Sequence, residues 1–278
     1  MNKHIKNLLI KTRKSVFSQH IGNNTSNLKG EGYDFVELRE YVDGEDIRKI
    51  DWVITAKMQK PYVKVFRAQR ELEVNIVPIL SGSTHFGTQR LKKDVITEIC
   101  SILGYISSAQ GDSFSSYIAN ESAFLSTKKT KKLFGVDKMI EYIYQYNPIG
   151  KNIDYRRITN DLFTKIQKKS LIFLIGDFFN CKDLHLNLLS KKHEVIVIIV
   201  RDEFEESPTS LGNVNLTDPG NNSIFEGDLN SSLINKYIKE VRENDRLMYV
   251  NLQKAGIEFT KIYTHDNITK ELTKLFKR

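Results

Sequence analysis

Cysteine, proline and tryptophan are scarce in this 278-residue chain, at two, five and one copies. The two cysteines, Cys100 and Cys181, each lie beside an apolar run. Two such residues exclude a disulfide-stapled scaffold and a thiolate zinc site, and they fit a reducing cytoplasm. No apolar run is long: Leu171–Gly176 and Val195–Val200 fall far short of the roughly 20 residues that a bilayer demands. Leu8–Ile10 is too short for the apolar region of a signal peptide, so none is expected. The six histidines (His4, His20, His85, His185, His193 and His265) are scattered without metal-ligand spacing. Neither a G-x-S-x-G elbow nor an H-E-x-x-H helix occurs. These absences leave no case for an enzyme.

Hydrophobic residues make up 40% of the chain and charged residues 27%, which is enough to build and solubilise a core. Length suggests one large domain, or one with a small appendage. The net charge of +8 is concentrated in the first quarter, where residues 1–70 hold fourteen basic and eight acidic side chains. Met1–Lys14 has five basic residues and no acid. Ile5, Leu8 and Leu9 recur there at helical spacing, with Lys3, Lys6 and Lys11 opposite, as on a solvated amphipathic helix. The same charge would also suit nucleic acid or an anionic membrane surface, although no RNA-binding aromatic motif, helix-turn-helix signature or zinc-finger pattern accompanies it.

The pattern predicts a helix over 1–19, a loop over 21–34 and a strand over 62–67. Beyond residue 71 it becomes regular. Strands are expected at 73–80, 113–119, 123–127, 170–175, 194–200 and 257–263. Helices are expected at 89–110, 131–146, 155–168, 181–190, 231–255 and 267–276. A surface hairpin is expected around Asp218–Asn221. Apolar strands alternating with helices imply an α/β fold: a doubly wound, mostly parallel sheet covered on both faces. Residues 1–70 then form a basic appendage and 71–278 the main domain. In such folds ligands bind beyond the carboxyl ends of the strands, which points to the loops after Leu80 and Ile175.

The first loop, Ser81–Thr88, places Gly82 and Gly87 at phosphate-loop spacing. The following Thr88-Gln89 lacks the lysine that would meet the phosphates, so ATP hydrolysis is rejected. Ser81 and Ser83, with Asp177 from the second loop, offer oxygen ligands of the kind that suit Mg²⁺ or Mn²⁺. The alternatives are an ordinary helix cap at Ser83 or Thr88 and an ordinary strand-end acid.

Residues 30–52, GEGYDFVELREYVDGEDIRKIDW, resemble the signature of the domain of unknown function 58 family, which reads roughly G-x-G-x-E-F-x-x-L-R-x-Y-x-x-G-D-D-x-R-x-I-D-W. The resemblance continues at Thr55-Ala56-Lys57, at Lys64-Val65-Phe66, at Leu174–Phe178 and at His193–Ile196. It implies a von Willebrand factor A-like domain with an amino-terminal appendage. It also implies a non-enzymatic, chaperone-like adaptor that works with a MoxR-type AAA+ ATPase on an unidentified protein client. The fold's metal site normally reads D-x-S-x-S after the first strand. Here Ile79 replaces the leading aspartate, Asn152 aligns loosely with the site's threonine, and Asp177 matches the last acidic position. A lost or weakened metal is therefore expected, and a metal-dependent adhesion module remains an alternative.

Within the signature, Arg39, Tyr41, Arg48 and Trp52 are residue types that dominate protein interfaces. The competing reading is structural: Tyr41 and Trp52 would dock the appendage, while the arginines and acids pair locally.

Overall fold

The computed structural model describes residues 33–68, 72–179, 181–209, 212–217, 219–220 and 223–276. The expected basic helix over 1–19, and the expected loop as far as residue 32, lie outside the described residues. Those described fall into two compact units, one holding residues 33–68 and the other 72–276.

In the first unit β1 (Tyr33–Glu40) pairs antiparallel with β2 (Tyr62–Ala68). The expected loop thus gives way to strand at Tyr33. Between the strands lie a 3-10 turn (Ile47–Lys49) and helix α1 (Trp52–Met58). The sequence explains both. Asp46 accepts a hydrogen bond from Arg48 N, and Asp51 accepts from Val53 N and Ile54 N at 3.0 and 3.1 Å. Two aspartates five residues apart each cap the turn that follows, satisfying amides that would otherwise be orphaned. The Asp-Ile-Arg-Lys-Ile-Asp-Trp stretch is therefore a double start signal.

The second unit is a six-stranded sheet in the order β10-β7-β6-β3-β4-β5. Its strands are β3 (Glu73–Pro78), β4 (Ser113–Ala119), β5 (Ala123–Thr130), β6 (Leu171–Gly176), β7 (Glu194–Arg201) and β10 (Glu258–Tyr263). Every pairing is parallel except β4–β5, whose tight connection at Asn120–Ser122 allows only an antiparallel return. The helices are α2 (Lys92–Ala109), α3 (Leu133–Gln145), α4 (Tyr155–Lys165), α5 (Asn187–Lys192), α6 (Glu203–Glu206), α7 (Ser231–Lys254) and α8 (Ile268–Phe276). A separate hairpin pairs β8 (Gly212–Thr217) with β9 (Ile224–Leu229).

Strand β7 shows why both faces are covered. Ile196, Ile198 and Val200 join one core with residues of α2, α3 and α8. Val195, Val197 and Ile199 join a second core with residues of α4, α5 and α7. Successive side chains point to opposite faces, so a run with no polar interruption must be buried on both. The α/β, doubly wound, mostly parallel architecture expected for a von Willebrand factor A-like domain is the one observed.

From β3 the chain moves first to β4 and β5, then returns to the other side of β3 for β6, β7 and β10. The strand order therefore reverses between β3 and β6, and a crevice opens beyond their carboxyl ends.

Ile198 is fully buried at the middle of β7. Ile198→Ala should cost about 2–5 kcal/mol in urea unfolding, because the site cannot collapse around the lost atoms. Leu247→Ala, on the half-exposed face of α7, should change stability by less than about 0.5 kcal/mol.

Candidate functional site

The segment after β3 leaves the sheet at Ile79, whose amide bonds Ile175 O of β6 at 2.7 Å. Ile79 is 1% exposed and packs into the core with Ala119 and Phe178. Its side chain carries no oxygen that could act as a ligand. The chain then forms a 3-10 turn over Gly82–His85, where a loop was expected.

Ser81, Ser83 and Asp177 do come together. The Ser81 and Ser83 hydroxyls lie 2.7 Å apart, and Ser83 Oγ donates to Asp177 Oδ2 in a short hydrogen bond. Asn152 does not join them, being exposed, although the neighbouring Lys151 carbonyl accepts from Gly82 N.

The sequence reading missed the group that dominates this site. Lys92, in the first turn of α2, is fully buried. Its Nζ lies 3.1 Å from Asp177 Oδ2 and 2.7 Å from Glu205 Oε1 on α6. Burial opposes the charge on Asp177, but Lys92, the Ser83 hydroxyl and Arg201 outweigh it and hold the carboxyl below its ordinary range. For Glu205 burial wins over the attraction of Lys92, and its carboxyl is pushed up. One ammonium thus faces two carboxylates in different surroundings.

A second cation supports the turn after β6. Arg201, fully buried at the end of β7, donates from Nε to the Asp177 carbonyl and from Nη2 to the Phe178 carbonyl at 3.2 Å. Phe178 has φ +50°, a left-handed conformation that is uncommon outside glycine. Two hydrogen bonds from one guanidinium hold it there. Arg201 Nη2 also pairs with Asp245 of α7 at 2.9 Å, and Lys261 of β10 reaches Glu206 and Asp245 at 2.7 and 3.2 Å. Asp202 completes the frame. It caps α6, and it accepts from Thr88 N at 2.9 Å and Thr264 Oγ1 at 2.6 Å.

The expected surface hairpin is present as β8–β9, and among the described residues between its strands Pro219 and Gly220 are drawn in from the surface. Gly220 is buried, and the Pro219 carbonyl accepts from Gly150 N at 2.9 Å. A Cβ on Gly82 would stand 2.1 Å from that carbonyl oxygen. Only glycine lets the tip seat against the loop after β3.

Beside these groups lies a groove of about 740 Å³. Phe86, Phe179, Phe204, Pro219, Leu233 and Tyr237 line it, and Ser83 and Glu205 reach its wall. Phe179 stacks on Arg201, with Cζ 3.5 Å from the ring centre. The groove is thus mainly apolar, with exposed Lys236 and Glu240 also on its lining, and the ions behind it are paired.

Among the described residues no group of three or more His, Cys, Asp or Glu side chains is arranged to hold a metal. The oxygen set around Asp177 does not fit a divalent cation, because an ammonium already bridges its two carboxylates and Ile79 offers none.

In the first unit, Arg39 forms a two-pronged pair with Glu45, and Tyr41 donates to the Glu45 carbonyl at 2.9 Å. Arg48 pairs with Asp46, and Lys64 with Asp51. Trp52 is 67% exposed, as are Val42, Ile47, Val53 and Met58 to similar degrees. The site residues sought in this segment therefore divide: the arginines and Tyr41 are tied locally, while the indole faces solvent.

Residues 37–247 match the family described as "Protein of unknown function DUF58". Over 217 residues the chain is 26% identical to "Uncharacterized protein Rv1480" of Mycobacterium tuberculosis, covering 76% of this chain and 68% of that one. Similar solved structures include BatB from Bacteroides thetaiotaomicron, at 15% identity and TM-score 0.45 over 74% of this chain and all of that one. The von Willebrand factor A domain of SpRpn10 is similar at 12% identity and TM-score 0.39, over 73% and 94% of the two chains.

Lys92→Met keeps the side-chain length and removes the charge. It should cost about 3–5 kcal/mol near neutral pH, because Asp177 is left buried and ionised without its partner. In the native chain the Asp177 pKa is lowered on folding, so its contribution is present above the unfolded pKa and is lost as pH falls. In the variant, burial favours the protonated acid, so stability is lost as pH rises. The deficit should therefore shrink between about pH 7 and about pH 4. Urea unfolding of both proteins at the two pH values measures it, and a deficit that does not change with pH would mean lost packing alone.

Proposed function

The chain belongs to the family described as protein of unknown function DUF58, and from that premise we propose that it is a non-enzymatic adaptor that binds other proteins through its strand-end face. The observation that carries this reading is the groove at that face, lined by Phe86, Phe179, Phe204, Leu233 and Tyr237. An aromatic-lined concavity recognises apolar side chains of a protein segment, and aromatic residues are the usual anchors of such contacts. The lysine, arginine and carboxylates behind it are spent on one another and serve as a rigid floor.

The partner expected from the family resemblance is a MoxR-type AAA+ ATPase, acting with this chain in the maturation or assembly of another protein complex. Exposed Trp52, with Ile47 and Val53 near it in sequence, offers a second contact on the appendage. Among the described residues no helix is long and apolar enough to cross a membrane. A cytoplasmic setting, with or without peripheral membrane contact, suits this reading.

Tagged protein should recover an AAA+ ATPase from its native lysate at moderate salt, with recovery that differs with and without ATP, as read by mass spectrometry. Leu233→Asp, at the half-exposed rim of the groove, should reduce that recovery at least about tenfold, as expected for loss of an interface anchor. Undiminished recovery would move the contact elsewhere. Recovery of nucleic acid alone, lost on raising salt, would favour a phosphate-binding role for the basic amino-terminal segment.

A further inference from the structure

We infer that the Lys92 ammonium is the resident cation of the strand-end site, so that the site works without metal as it stands and becomes a divalent-cation site when Lys92 is shortened. Asp177 from the end of β6 and Glu205 from α6 converge on Nζ at 3.1 and 2.7 Å. The Ser83 hydroxyl donates to the same Asp177 oxygen, and Ser81 lies 2.7 Å from Ser83. Two carboxylates on a single positive centre, with two hydroxyls chained to one of them, are the donor types of a Mg²⁺ or Mn²⁺ site. Here the centre is covalently attached to the protein.

Its attachment makes it permanent. Lys92 has no solvent exposure and leaves from the first turn of α2, whose next turns carry Ile96 and Ile99 into the core. The side chain has no solvated position to retreat to, and a divalent ion entering the same place would meet a fixed like charge. The substitution at position 79 agrees with this. A third carboxylate there would leave one ammonium facing three negative groups, whereas Ile79 fills the core instead. Removal of the ammonium restores the charge deficit that a metal requires. Glu205 then stands as the second acid that Ile79 does not supply. This inference is independent of the partner assigned to the groove.

The test is calorimetric titration of the full chain with Mn²⁺ and with Mg²⁺, alongside thermal unfolding with and without each ion. The native protein should give no saturable heat and no rise in Tm at millimolar metal. Lys92→Ala should bind Mn²⁺ at least about tenfold more tightly than the native chain and gain Tm on its addition. If Lys92→Ala unfolds in metal-free buffer, millimolar Mn²⁺ should restore its far-ultraviolet circular dichroism, because metal binding then contributes to folding. The inference is overturned if the native chain saturates with either ion below millimolar concentration. It is equally overturned if folded Lys92→Ala takes up no more Mn²⁺ than the native chain, or if the unfolded variant is not restored by it.

Discussion

Charge burial at the carboxyl ends of β3, β6 and β7 is the constraint on which the rest of this structure depends. A buried ion is costly unless paired and hydrogen-bonded. Lys92 and Arg201 are both fully buried, and Asp177 nearly so. Each therefore dictates the position of its partners. Lys92 ties α2 to β6 and α6. Arg201 ties β7 to the turn after β6 and to α7. Asp202 ties the loop after β3 to the end of β10. The crevice at the reversal of strand order is consequently a closed ionic lattice, where many α/β folds leave an open site.

That lattice explains the character of the neighbouring groove. Breaking one member of a buried pair is far more costly than keeping it, so the charges are not free to serve a passing ligand. What remains open is mainly apolar: the Phe179 ring over Arg201, with Phe86, Phe204, Leu233 and Tyr237 around it and Lys236 and Glu240 also on the lining. The seated tip of the β8–β9 hairpin limits the groove on one side, since Pro219 lies against the loop after β3 and also lines the groove.

Much of the architecture was legible along the chain. The strands expected at 170–175 and 194–200 form at Leu171–Gly176 and Glu194–Arg201, and their apolar runs are buried on both faces. The alternating helices, the β4–β5 return and the candidate trio Ser81, Ser83 and Asp177 were also readable. Strand β1 and helix α1 were not, because their apolar residues are mixed with charges and Trp52, Val53 and Met58 of α1 remain exposed. The capping role of Asp46 and Asp51 was visible in principle, as aspartates directly before helical turns. Lys92 also left a trace, since it stands four residues before Ile96 and seven before Ile99, inside the apolar stripe of α2. A charge in that position is either an error of register or a buried partner.

By itself the sequence determined the periodicities: which segments are strands buried on two faces, which helices carry an apolar stripe, and hence the doubly wound sheet and its strand-end loops. Those properties are local, because the direction of each side chain follows from its place in a repeat. Only the tertiary structure decided what the strand-end oxygens bind. Lys92 and Glu205 stand 113 residues apart in the chain, and Lys92 and Asp177 85 apart. No local pattern relates residues so distant. Their meeting is set by the strand order and by the electrostatic demand that a buried carboxylate find a cation.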